Sequence, residues 1–130
     1  MMETFENNYV KIWIEDDILY SNYQKNIIID LDIAKKIIED RVKFTKGKNY
    51  PILIDFTNMH SVTKEAREYM NSPEGGLKGL LGGAFLSNSL VTTLFVNLYL
   101  KINQPTIPAK FFTKKEDAIN WLKSLKMSKQ

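Results

Sequence analysis

Pro51-Ile52-Leu53-Ile54-Asp55-Phe56-Thr57 is a continuous apolar run that closes on an acid. A strand with one wet face alternates apolar and polar residues. This one does not, so both of its faces are expected to be covered, as in the strands of parallel sheets with helices packed on them. Everything on either side of it is consistent with such a sheet.

Upstream, Tyr9-Val-Lys-Ile-Trp-Ile-Glu15 alternates with the period of a half-buried strand, and Ile18-Leu-Tyr-Ser-Asn-Tyr23 returns from a turn at Asp16-Asp17. The two form a hairpin and supply an antiparallel edge. A helix then starts from a cap at Asp30 or Asp32 and runs to about Lys46, with Gly47 as its stop. Its apolar positions Ile33, Ala34, Ile37, Ile38 and Val42 cover about half of the circumference. Downstream, Thr63 caps a second helix with Val62, Ala66, Tyr69 and Met70 on one side. Residues 72–79 form a loop or a frayed helix end, and Leu80 to Leu86 is another buried strand. Asn88 or Ser89 caps a helix that Pro105 stops before about Gln104. Ala109-Lys-Phe-Phe112 is a short last strand. Thr113-Lys-Lys-Glu116 is a capping box that opens a final helix, where Ala118, Ile119, Trp121, Leu122 and Leu125 make an apolar stripe. Strands alternating with helices in this way predict an α/β fold with crossover connections. The expected sheet is mixed and five-stranded, with four helices. One domain spanning 1–130 is expected, with 1–8 and 127–130 as flexible ends.

The 130 residues are 44% hydrophobic and 25% charged, ordinary for a chain that buries one core. The absence of cysteine removes disulfides, thiol nucleophiles and thiolate metal sites, and suits a reducing compartment. The N-terminus carries two acids and no apolar run, unlike a secretory signal. Together these predict a cytoplasmic protein. A net charge of +3 is small, and the lysines are scattered, so no nucleic-acid partner is expected.

Residues 79 to 100 contain no charged side chain. Gly82-Gly83, Ser87-Asn88-Ser89, Thr92, Thr93 and Asn97 interrupt the stretch, so it predicts a strand, a turn and a helix and not a transmembrane segment. On the helix, Thr93, Asn97 and Lys101 form a polar line. Leu90, Val91, Leu94, Leu98 and Ile102 fill the opposite face, and Phe95, Val96, Tyr99 and Leu100 spread beyond it. A helix apolar on so much of its circumference is buried on several sides. It is either wedged inside the domain, covered by a protein partner or a second copy of the chain, or set over an apolar ligand.

Polar candidates gather where the central strand ends, because open α/β sheets bind ligands beyond the carboxyl ends of their strands. Asp55, His60, Ser61 and Thr63 belong to that edge. His60 is the only histidine, so no histidine pair exists for a metal, and its bland role is a surface loop. Thr63 serves as a helix cap or, alternatively, as a phosphorylation site. Arg41 falls on the apolar arc of the first helix, where its guanidinium either snorkels to solvent or meets an acid, for which Asp55 is the candidate. A structural ion pair is expected there. The glycines of 75–83 precede a strand and lack the Gly-x-x-x-x-Gly-Lys spacing of a phosphate loop. No nucleophile-base or paired-acid motif is present, so no catalytic residue, metal or cofactor is expected.

With this order of elements, the chain resembles the SpoIIAA-like, or STAS-type, proteins, the anti-sigma factor antagonists and their relatives. The residues that carry the resemblance are Ile52-Leu-Ile-Asp-Phe-Thr57 with the helix after Thr63, and Phe111-Phe-Thr-Lys-Lys-Glu-Asp-Ala-Ile-Asn-Trp-Leu122. The resemblance implies a β/α superhelix and a regulatory role through protein contacts. True antagonists carry Asp-Ser-Ser/Thr-Gly at the start of the second helix, and Thr63-Lys-Glu-Ala66 stands there instead, without the acid, the serine or the glycine. The expected function is therefore a non-enzymatic interaction module, possessing no phosphoserine switch of that kind, with Phe95, Val96, Tyr99 and Leu100 as the contact. The same broad fold is similar to that of CRAL-TRIO lipid carriers, which implies the alternative: a carrier of a lipid or other apolar molecule under the helix of 88–104.

Overall fold

The computed structural model describes residues 3–24, 27–87 and 106–128, the last three by backbone alone. Its elements are β1 (Thr4–Glu6), β2 (Val10–Glu15), β3 (Ile18–Tyr23), β4 (Ile27–Ile29), α1 (Leu31–Thr45), β5 (Tyr50–Asp55), β6 (Met59–Val62), α2 (Lys64–Met70), β7 (Leu80–Leu86), β8 (Ala109–Phe112) and α3 (Lys115–Ser128). The helix expected over 88–104 lies outside the described residues.

One sheet has the strand order β1-β2-β3-β5-β7-β8. β1, β2 and β3 are antiparallel neighbours, and β3, β5, β7 and β8 follow in parallel. The sheet is thus mixed, as expected, but six-stranded instead of five-stranded. The additional strand is β1, in the segment 1–8 expected to be a flexible end. Its neighbourhood explains the ordering. Asn7 Oδ1 accepts the N–H groups of Tyr9 (2.7 Å) and Val10 (2.8 Å), and Asn7 Nδ2 donates to Asp40 on α1 at 2.9 Å. Phe5 packs against Phe44 with ring centroids 6.2 Å apart. A second unexpected feature is a two-stranded parallel sheet of β4 and β6, where Ile28 faces Ser61 and Ile29 faces Val62.

Local chemistry sets the turns and caps. Asp16 and Asp17 have φ of 53° and 62°, the left-handed pair that a two-residue hairpin connection needs, and aspartate tolerates it better than most residues. Asp30 Oδ1 accepts the Ile33 N–H at 2.9 Å and caps α1, while Lys46 in the left-handed conformation ends it. Thr63 Oγ1 accepts the Ala66 N–H at 3.2 Å and caps α2 as expected. The final helix starts at Lys115, with the Ala118 N–H bonded to the Lys114 carbonyl, one residue later than the Thr113 box implied.

β5 lies between β3 and β7, and its two faces belong to different cores. Ile52 packs with the α1 and α2 side, among Val10, Ile12, Ala34, Ile37 and Ala66; Leu53 packs with Ala84, Ala118 and Leu122 under α3. Both residues are 1% exposed. The unbroken apolar run at 52–54 thus has the cause inferred from sequence: helices cover both faces. Burying each such side chain stabilises the fold by about 1.5–3 kcal/mol.

Candidate functional site

A cavity of about 110 Å³ lies on the α1–α2 side of the sheet. The sheet contributes Ile12, Ile52, Ile54 and Phe85, α1 contributes Ile37, Ile38 and Arg41, and α2 contributes Arg67 and Met70. The strand period aims Ile52 and Ile54 to one face together. Phe56 stands edge-on to Phe85 and to Phe111, with centroids 6.2 Å apart in each case, which makes that wall aromatic. Gly83 also lines the cavity, and a methyl group placed on it would make only ordinary contact with Ile52, at 3.7 Å.

Arg41 and Arg67 are the charged residues of its wall, and Arg41 is the more deeply buried of the two. Arg41 is 7% exposed, and its Nη2 donates to the carbonyls of Gly76 (2.9 Å) and Lys78 (2.8 Å). Burial away from water pushes the guanidinium pKa down to about 10, against small opposing contributions from Tyr23 and Tyr69, so it remains a cation at neutral pH. The expected pair with Asp55 does not form. Asp55 Oδ1 instead accepts the Thr57 N–H at 3.0 Å and closes a turn at the end of β5. The strand period is the physical reason: Asp55 alternates onto the Leu53 face of β5, under α3, while Arg41 lies on the opposite, α1–α2 face, where the loop 72–79 brings its own carbonyls to it. That loop needs its glycines. A Cβ on Gly76 would collide with the backbone of Met70, and one on Gly75 with the Tyr69 carbonyl, so the chain can lie on the end of α2 only without side chains there.

The polar residues expected at the strand ends are near one another in sequence but are not joined. No hydrogen bond or ion pair links any two of Asp55, His60, Ser61 and Thr63. His60 and Ser61 lie exposed on β6, not on a loop, and the Thr63 hydroxyl is engaged as the α2 cap. Phe95, Val96, Tyr99 and Leu100 lie outside the described residues. Among the described residues, no group of three or more His, Cys, Asp or Glu side chains could hold a metal ion, and no helix is long and apolar enough to cross a membrane. The cavity was not foreseen. Its sequence signals were an arginine on an apolar helical arc and a glycine pair ahead of a strand, and neither says by itself that they meet.

A family model described as "Domain of unknown function (DUF7793)" matches residues 12–126. No curated protein matches the sequence. Among solved structures, the chain is similar to an uncharacterised protein of the DUF3478 family with a SpoIIAA-like fold from Shewanella loihica PV-4. The identity is 15%, the coverage 94% of this chain and 95% of that one, and the TM-score 0.62. A protein with unknown function from Arthrobacter sp. FB24 is 26% identical over 83% of this chain and 93% of its own, with a TM-score of 0.31 that carries no structural argument. The fold is SpoIIAA-like, as the strand and helix order implied.

Proposed function

We propose that this chain, which belongs to the DUF7793 family, is a non-enzymatic binding module that holds a small apolar or amphipathic molecule between its sheet and helices α1 and α2. The cavity carries this reading: its walls are mostly isoleucine, phenylalanine and methionine, with two arginines, Arg41 and Arg67, and a few polar residues among them. Small-molecule sites have that composition, mostly apolar with a few polar groups that orient the ligand. The carrier alternative inferred from sequence set its molecule under the helix of 88–104, outside the described residues; the present reading sets the occupant between α1, α2 and the sheet. Native mass spectrometry of freshly purified protein tests it. A co-purified small-molecule mass, or uptake of an added apolar probe, is the expected result. Bare protein that takes up no probe would end this reading.

A second reading, contact with a protein partner or a second copy of the chain, rests on the uncharged stretch 79–100 and on Phe95, Val96, Tyr99 and Leu100. Light scattering coupled to size exclusion over a concentration series tests self-association, and the double substitution Phe95→Ser with Tyr99→Ser should abolish it without unfolding the protein. The cytoplasm is the compartment proposed for either role, supported by the absence of cysteine.

A further inference from the structure

Among the described residues, no acidic side chain neutralises the charge of Arg41. Its two hydrogen bonds leave from one nitrogen, Nη2, and end on carbonyls, which carry no net charge; among the described residues Nε and Nη1 make no hydrogen bond. All 15 acidic side chains of the protein lie within the described residues, so none remains elsewhere to supply a partner. The ion pairs among the described residues join Lys36 to Asp40, Lys43 to Glu39 and Lys64 to Glu68. The downward shift of the guanidinium pKa has the same cause, burial with no carboxylate to oppose it. A buried cation is costly unless paired, and a guanidinium fork matches a carboxylate in particular. Arg41 also lines the largely apolar cavity, as does Arg67 of α2. An uncompensated cation and an apolar space therefore share one wall.

We propose that the cavity binds a small monocarboxylate with an apolar body, a short-chain fatty acid or an aromatic acid, whose carboxylate pairs with Arg41 while its body rests on Ile52, Ile54 and Phe85. This rests on the cavity-binding reading above and adds the charge and size of the ligand. Size follows from volume. An apolar cavity of about 150 Å³ accepts benzene, so a space of about 110 Å³ suits a body on the order of six carbons or fewer. A long acyl chain would not fit without displacing side chains. Inorganic anions would gain the charge contact but leave the apolar walls unfilled.

Calorimetric titration of the full chain with hexanoate and benzoate, beside the neutral hexanamide and benzamide, tests the proposal. At least one acid should bind tenfold or more tightly than its amide. Arg41→Met, which keeps an unbranched apolar stem without the guanidinium, should erase that preference and retain amide binding. Gly83→Val, which fills part of the cavity, should weaken acid and amide alike. If the wild type binds amides as well as acids, the carboxylate assignment is wrong and the cavity reading survives. If it binds none of the four, both fail. Should Arg41→Met not fold, the nitrogen-15 spectrum of arginine side chains in the wild type decides. Hexanoate or benzoate must shift the Arg41 Nε–H resonance, and an unmoved resonance at saturating acid overturns the pairing.

Discussion

Arg41 and Gly76 show how single residues hold the cavity wall. The Gly76 and Lys78 carbonyls reach Arg41 only because residue 76 has no Cβ to strike Met70. Gly76→Ala should therefore cost about 1–3 kcal/mol, the range for forced overpacking, read as a lower urea midpoint. The same change should also loosen the loop 72–79, read as faster amide exchange at Lys78. Asp40 works on the other side of α1. Burial raises its pKa, but hydrogen bonds from Asn7 and Lys36 outweigh that and hold it below the ordinary carboxylate range. The unfolded chain then binds the proton more readily than the folded one, so stability rises with pH through this window. The contribution of Asp40 is complete above about pH 4, the ordinary aspartate value, and is lost as pH falls through the depressed one. Urea midpoints of the wild type should drop more steeply than those of Asp40→Asn as the pH is lowered from about 5 to 2.

Helices and strands depend on a few local contacts that can be removed singly. Thr63→Ala takes away the α2 cap and should cost about 1 kcal/mol, measured by chemical denaturation. Serine at this position should restore most of it. A larger loss from Thr63→Ala with no rescue by serine would show that the methyl group, not the hydroxyl, matters here. β1 is three residues long and depends on Asn7, which both turns the chain into β2 and reaches α1. Asn7→Ala should free the N-terminal strand without unfolding the rest. Amides of Thr4–Glu6 should then exchange far faster, while those of β5 keep their protection. In β4, the 55% exposed Ile28 is the exposed large hydrophobic residue on the small sheet, and its replacement by Thr should change stability little.

The domain is layered, with separate cores above and below the sheet. That arrangement predicts unequal responses to truncation. Leu122 is 0% exposed in the α3 layer, which contains no cavity wall, and Leu122→Ala should cost about 2–5 kcal/mol. Ligand binding in the α1–α2 layer should be nearly unchanged in that variant under conditions where it stays folded. Joint loss of stability and affinity at temperatures below unfolding would mean that the two layers are coupled through β5.

Much of this layering was legible in the chain. The unbroken apolar run at 52–54 implied helices on both faces, the alternation at 9–15 and 18–23 implied a hairpin edge, and Thr63 marked its helix start. These signals are local: period, capping chemistry and turn residues act within a few positions. β1, β4 and β6 escaped because strands of three or four residues carry too few positions to show a period, although Ile27-Ile28-Ile29 is a β-branched run. The site was less legible. Arg41 stood out on its apolar arc, but its neighbours are 35 and 37 residues away, and only the folded chain decides whether a buried cation meets Asp55 or two carbonyls. Periodicity determines which face of an element is buried; the register between distant elements determines what that face meets, and no local pattern encodes it.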